Sequence, residues 1–140
     1  MVTIVHRGVN IDIVIMDSAT YMDERFQGDI IVCGSHGGEA AADYLLKYHP
    51  GGAIFNDAGK GKEDAGIKGL YLFDSLSIPA AAVDFFSSRI GDGKDTFESG
   101  VISAANEAAL VTGVELDMAA GEAAMKMWEK LETKKEGKLY

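Results

Sequence analysis

The sequence predicts an α/β fold: a three-layer, Rossmann-like domain with a small, mostly parallel sheet and two C-terminal helices. Three observations lead there. The short runs 30–33, 53–55 and 80–83 are apolar on both faces, as strands must be in a parallel sheet covered on both sides. Between them lie segments with helical apolar spacing, long enough to serve as crossover connections. Each run is followed by a polar, glycine-rich loop, and in such sheets those loops gather along one edge.

Residues 11–16 read as a fourth strand, and 2–5 as a short edge strand or the first arm of a hairpin with it. The helix over 39–48 opens after Gly37 and Gly38, carries Ala41, Tyr44, Leu45 and Tyr48 on one stripe, and stops before Pro50, Gly51 and Gly52. A second helix, 63–76, places Ile67, Leu70, Tyr71 and Asp74 at helical spacing. After the third buried run come Phe85 and Phe86, then two helices over 96–111 and 118–131, with Asp95 and Asp117 expected as their N-caps. On the first of these, Ser99, Ser103 and Asn106 share one side, which either looks into the site or packs closely, as Gly100, Ala104, Ala105 and Ala108 favour.

With no internal repeat and no Pro- or Ser-rich linker, residues 1–133 read as a single α/β domain and 134–140 as a polar C-terminal tail. The last helix spreads Met118, Met125, Met127, Trp128 and Leu131 over more than one face. That spread suits either the monomer core or a second subunit, and a homo-oligomer is expected.

The 140 residues are 47% hydrophobic and 25% charged, the balance of a globular chain. A net charge of -9 without a basic stripe argues against nucleic acid as a partner. Cys33 is the only cysteine, so neither an intrachain disulfide nor a cysteine-held zinc is available. The apolar run at 13–16 is too short to span a bilayer or act as a signal, and a cytoplasmic protein without membrane contact is expected.

The first loop is Gly34-Ser35-His36-Gly37-Gly38, lying between a strand and a helix. Its glycines let a ligand approach the backbone, and the amides opening the helix attract an anion, although Glu39 competes for the same dipole. Ser35 is not in a nucleophile elbow, because Cys33 stands where that pattern needs glycine. His36, centred among the glycines, is a candidate general base, hydrogen-bond donor or metal ligand. Ser35, His36 and Gly37 resemble the catalytic-histidine segment of caspase-type cysteine peptidases. Those enzymes require a cysteine after a later strand, and Cys33 precedes the histidine, so that assignment is rejected.

The second loop, from Asn56 to Gly66, is the most polar segment. Lys60 and Lys62 lack the glycine spacing and following Ser or Thr of a Walker phosphate loop. Asn56 and Asp57 stand where functional groups of parallel sheets usually stand, although the same pair also begins Asx turns. In the third loop, Ser88 and Arg89 follow the third buried run, and arginine suits two-pronged binding of a carboxylate or phosphate. Its alternative is an internal ion pair to Asp57, Asp84 or Asp92. The 92–95 stretch lacks the ligand alternation of a calcium loop; magnesium held by one or two of its carboxylates with a phosphate is the weaker option.

These residues point to an enzyme acting on a small anionic metabolite, with hydrolase, isomerase and lyase chemistry all open. His36 and Asp57 are the expected acid-base groups. Ser35, Gly37, Gly38, Asn56, Lys60, Ser88 and Arg89 are the expected ligand contacts, with no resident metal and no cofactor. The absence of a G-x-G-x-x-G fingerprint argues against a dinucleotide. The competing reading is a non-catalytic sensor or subunit that binds a metabolite or nucleotide at the same edge.

Overall fold

In the computed structural model, which describes residues 1–137, the buried runs assemble into one six-stranded sheet. β1 (Val2–His6), β2 (Ile13–Met16), β3 (Ile30–His36), β4 (Gly52–Asn56), β5 (Ala80–Val83) and β6 (Ile102–Ala105) lie side by side in chain order. β2 to β5 are parallel, while β1 and β6 run antiparallel to their neighbours and form the two edges. The fold is therefore α/β with a mostly parallel sheet, and the hairpin expected at the N-terminus is present.

The helices are α1 (Glu39–Leu46), α2 (Gly69–Ser75), α3 (Gly93–Ser99), α4 (Glu107–Val111) and α5 (Ala120–Gly137). Because the parallel strands follow one another without a reversal, their right-handed connections all fall on one face. Ala19, Met22 and Phe26 between β2 and β3, Ala42 and Leu45 of α1, and Leu70 and Phe73 of α2 form one core with Val14, Met16, Ile31, Cys33, Phe55 and Ala82. Alternate strand residues, Ile13, Ile15, Ile30, Val32, Ile54 and Val83, face Ala120, Ala123, Ala124 and Met127 of α5, with Phe97 of α3 packed beside them. A sheet in unreversed order has no topological switch point, so the crevice that such a point opens between diverging loops is missing.

The helix expected over 96–111 is not one element. α3 ends at Gly100, where a side chain would overlap the Thr96 carbonyl and press on Val83. The next residues extend into β6 along β5, and Asn106 then caps the short α4. Pairing with an open strand edge outweighed the helical spacing, as tertiary context often does. Ser99, Ser103 and Asn106 consequently do not share a helix face. The cap of α3 is Asp92, which accepts from the Asp95 amide at 2.9 Å, rather than Asp95. Asp117 sits in a turn at φ 71°, three residues ahead of α5, so it does not cap that helix.

The segment expected as a helix over 63–76 begins instead as a 3-10 stretch, Lys62–Ile67, with Glu63 and Asp64 at positive φ; only α2 is α-helical. α1 ends two residues earlier than expected. α5 extends through Gly137, and 138–140 of the expected tail lie outside the described residues. Trp128 donates from Nε1 to the Ile11 carbonyl at 2.7 Å and meets the His6 ring edge-on at 4.4 Å, while Met127 is fully buried. These side chains thus complete the core of their own chain. Among the described residues, no helix is long and apolar enough to cross a membrane.

Candidate functional site

The carboxyl ends of β3, β4 and β5 lie in register, His36 opposite Asn56 and Asn56 opposite Val83. The three loops therefore emerge together and are tied to one another by backbone bonds. Gly37 donates to the Asn56 carbonyl (2.9 Å), Asp57 to Val83 (2.8 Å), and Gly91 to Gly34 (2.8 Å). The third loop turns back across the ends of β3 and β2. A side chain at Gly34 would collide with the Asp92 amide and the Asp17 carbonyl, and one at Gly93 with Met16. Glycine at both positions is the condition for this crossing.

His36 is exposed at the end of β3, with its ring over Gly38: a Cβ added there would lie 3.1 Å from Nε2. Ser35 is half-buried, and its Oγ accepts the Ala19 amide at 2.9 Å, which makes it a brace for the turn after β2. Gly38 is the N-cap of α1 and supplies no side-chain cap, so the helix start stays uncapped except for the charge of Glu39. Gly37 spends its amide on Asn56, so of the two glycines expected to cradle an anion only Gly38 keeps that option.

Asn56 is fully buried. Its Oδ1 accepts the Ala58 amide at 2.8 Å in an Asx turn, and Nδ2 lies 3.4 Å from the Ser88 carbonyl and 3.5 Å from its hydroxyl. Asp57 is 2% exposed. Oδ1 accepts the amides of Gly59 (2.7 Å) and Phe85 (3.1 Å), and Oδ2 accepts the Ser103 hydroxyl at 2.6 Å. One carboxylate thus fastens the second loop, the third loop and β6. Ser88, also buried, lines up against Asn56.

The second loop holds Ala58, Lys60, Glu63 and Asp64 at positive φ, an unusual density for residues other than glycine. Lys60 is half-buried, and its backbone is pinned between Asp57 and Gly66. Arg89 is exposed; its amide donates to Asp95 Oδ2 at 2.8 Å. Among the described residues the ion pairs are Met1–Asp17, Arg7–Asp12 and Arg25–Asp23, so neither the Arg89 guanidinium nor the Lys60 ammonium is paired. The internal ion pair to Asp57, Asp84 or Asp92 is not formed.

One residue at this edge escaped the sequence reading. Asp17 follows β2 as Asp57 follows β4, and that position was the available signal. Its Oδ2 pairs with the N-terminal ammonium at 2.9 Å and its Oδ1 accepts the Gly93 amide at 3.0 Å. The ammonium first, and then this amide, hold its carboxyl below the usual range, against a small opposing effect of burial. Ser103, expected on a helix side with Ser99 and Asn106, reaches this edge from β6 instead. Cys33 lies in the sheet, its thiol pushed up to about 12 by burial against weaker hydrogen bonds from Ser35, which makes it an inert core group.

A cleft of about 430 Å³ opens beside the third loop between Asp84, Phe86, Ser87, Ser103 and Asp117. A larger one, about 530 Å³, lies away from this edge against Lys126 and Lys130 of α5. His36 and Arg89 line neither. Among the described residues, no group of three or more His, Cys, Asp or Glu side chains is arranged to hold a metal ion. No known protein family, curated protein or solved structure matches the chain.

Proposed function

We propose that this chain is an enzyme acting on a small anionic metabolite, a carboxylate or phosphate, at the carboxyl edge of its parallel strands. The observation that carries the reading is Arg89. In a chain with 22 acidic residues and a net charge of -9, the guanidinium on a tethered loop is left without a carboxylate partner. An always-charged fork held near three strand ends suits an external anion. The uncapped start of α1 at Gly38 and the Lys60 ammonium add positive potential on the same edge.

In this reading His36, exposed beside Gly38, exchanges the proton with substrate. Asp57 is the second acid-base group, and Asn56, Ser88 and Ser35 hold the loops in place. The architecture is then Rossmann-like in having helices over both faces, without the strand reversal of that fold. Magnesium enters only alongside a substrate phosphate, on one third-loop carboxylate, and no other cofactor is needed. We assign the protein to the cytoplasm as a homo-oligomer.

The sealing of Asp57 favours a second reading, a non-catalytic sensor binding the same anion. A thermal-shift series with inorganic phosphate and small carboxylates, on wild type, Arg89→Gln and His36→Ala, tests both. Anion-dependent stabilisation lost in Arg89→Gln supports the site. Turnover of a stabilising ligand that is lost in His36→Ala supports the enzyme, and stabilisation without turnover supports the sensor. An equal anion response in Arg89→Gln would sink both.

A further inference from the structure

Both edges of the sheet are short antiparallel strands, but the chain treats them differently. The start of β6 is covered by the segment leading into α5: Ile102 donates to the Met118 carbonyl and Asp117 to the Ile102 carbonyl, each at 2.8 Å, and Val101 bridges Ala119. Among the described residues, nothing pairs with the outer side of β1. Its sequence, Val2-Thr3-Ile4-Val5-His6, holds neither the lysine, the proline nor the acid that commonly guards an open edge. Only the irregularity between Ile4 and His6 interrupts it.

The register shows which groups are free. Val2 lies opposite Met16, Thr3 opposite Ile15 and Ile4 opposite Val14, and the Asp17 amide donates to the Met1 carbonyl at 3.1 Å. In an antiparallel ladder alternate residues bond to the neighbour, so Met1 and Thr3 are the ones whose backbone faces β2. The N–H and C=O of Val2 and Ile4 therefore point outward, where an added strand would meet them.

Beside this edge runs a groove of about 500 Å³ lined by Val2, Thr3, Ile4, Arg7, Arg25 and Phe26, the two arginines being its only charged residues. Each arginine has an acidic neighbour but is the more exposed member of the pair: 75% for Arg7 against 24% for Asp12, and 72% for Arg25 against 33% for Asp23. Exposed ion pairs of this kind exchange partners at little cost. At physiological salt, charges beyond about 8 Å are screened, so the local sign outweighs the chain's net -9 in deciding what docks here. A second copy would bring the same arginines to this groove. An acidic strand complements them.

We propose that β1 is a docking edge for an extended, acidic segment of a partner protein. The segment pairs with Val2 and Ile4 as a further strand of the sheet and places carboxylates in the groove at Arg7 and Arg25. This surface is independent of the anion site at the carboxyl edge.

The test titrates the protein, followed by backbone-amide NMR, with an acetylated and amidated hexapeptide that alternates valine and glutamate. One counterpart carries lysine in place of glutamate, and another carries a methyl group on every peptide nitrogen. The glutamate peptide is expected to shift the Val2 and Ile4 amides, to slow their hydrogen exchange, and to bind about fivefold tighter than the lysine peptide at low salt. The methylated peptide keeps its carboxylates but has no backbone donors, and should not bind. Arg7→Gln combined with Arg25→Gln should make the two charged peptides equal and leave the fold intact, since both side chains are exposed. Val2→Pro removes an outward donor and no β1–β2 bond, so it should weaken both peptides while the rest of the amide spectrum stays native. Should Val2→Pro disturb the fold, the methylated peptide carries that comparison. No response at Val2 and Ile4, equal affinities for the charged peptides in wild type, a preference that survives the double arginine substitution, or binding of the methylated peptide overturns the proposal. So does protection of Val2 and Ile4 that rises with protein concentration in the absence of peptide, which would assign the edge to a second copy.

Discussion

The Gly91 amide donates to the Gly34 carbonyl across 2.8 Å, joining the loop after β5 to the strand that carries His36. Through this bond Arg89 and His36 belong to one edge although 53 positions separate them in the chain. The crossing leaves no room for a side chain at Gly34, where the nearest atoms are backbone rather than flexible side-chain ends.

Gly34→Ala is accordingly expected to destabilise the fold by about 3 kcal/mol, the upper range for forcing a methyl group into a filled site. Urea denaturation reads the loss. A midpoint within experimental error of wild type would show that the third loop can lift away without cost.

Asn106 carries more structure than its place on the sequence suggests. At 5% exposure its Oδ1 accepts the amides of Ala80 and Ala109, and Nδ2 donates to the carbonyls of Leu70 and Ile78. Asn106→Ala should cost about 3–4 kcal/mol, well beyond the roughly 1 kcal/mol of a simple N-cap, because it strands buried groups on α2 and β5 as well. Denaturant unfolding showing only the cap-sized loss would mean that water replaces the amide.

Asp17 gives stability a dependence on acid. Its folded carboxyl is held below the usual 3.8 by the N-terminal ammonium first and the Gly93 amide second. The contribution is complete above the unfolded value and is lost as pH falls through the folded one. One third of the side chain is exposed, so the effect is small. Asp17→Asn should flatten the acid limb of a stability–pH curve below about pH 4. An unchanged limb would refute the pairing.

Cys33 behaves oppositely. Its folded thiol is raised from 9.0 to about 12, so the native state keeps a proton that the unfolded chain releases. Stability should fall as pH rises from about 9 toward 12, and Cys33→Ser should remove that slope. At pH 8 a thiol reagent should label the native protein only at the rate of global unfolding. Rapid stoichiometric labelling of folded protein would contradict the burial.

The α/β class and the parallel strands were legible because burial on both faces leaves a local mark: the continuous apolar runs that became β3, β4 and β5. His36, Asn56, Asp57 and Arg89 were found for the same reason, since a strand end predicts where the next polar residue will stand. β6 left no such mark. Residues 102–105 carry no strand pattern of their own and extend only because β5 offers an unpaired edge, so Ser103 was read on a helix side and its strand position was not foreseen.

The loop after β5 was likewise identified by composition, but its path over Gly34 depends on contacts distant in the chain. Sequence alone therefore determined that the loops after β3, β4 and β5 stand at the carboxyl edge. Tertiary structure decided which of their residues are sealed, as Asp57 is, and which remain open, as Arg89 and His36 are. Exposure is set by what packs above a residue, and here that covering comes from loops and a strand far away in sequence.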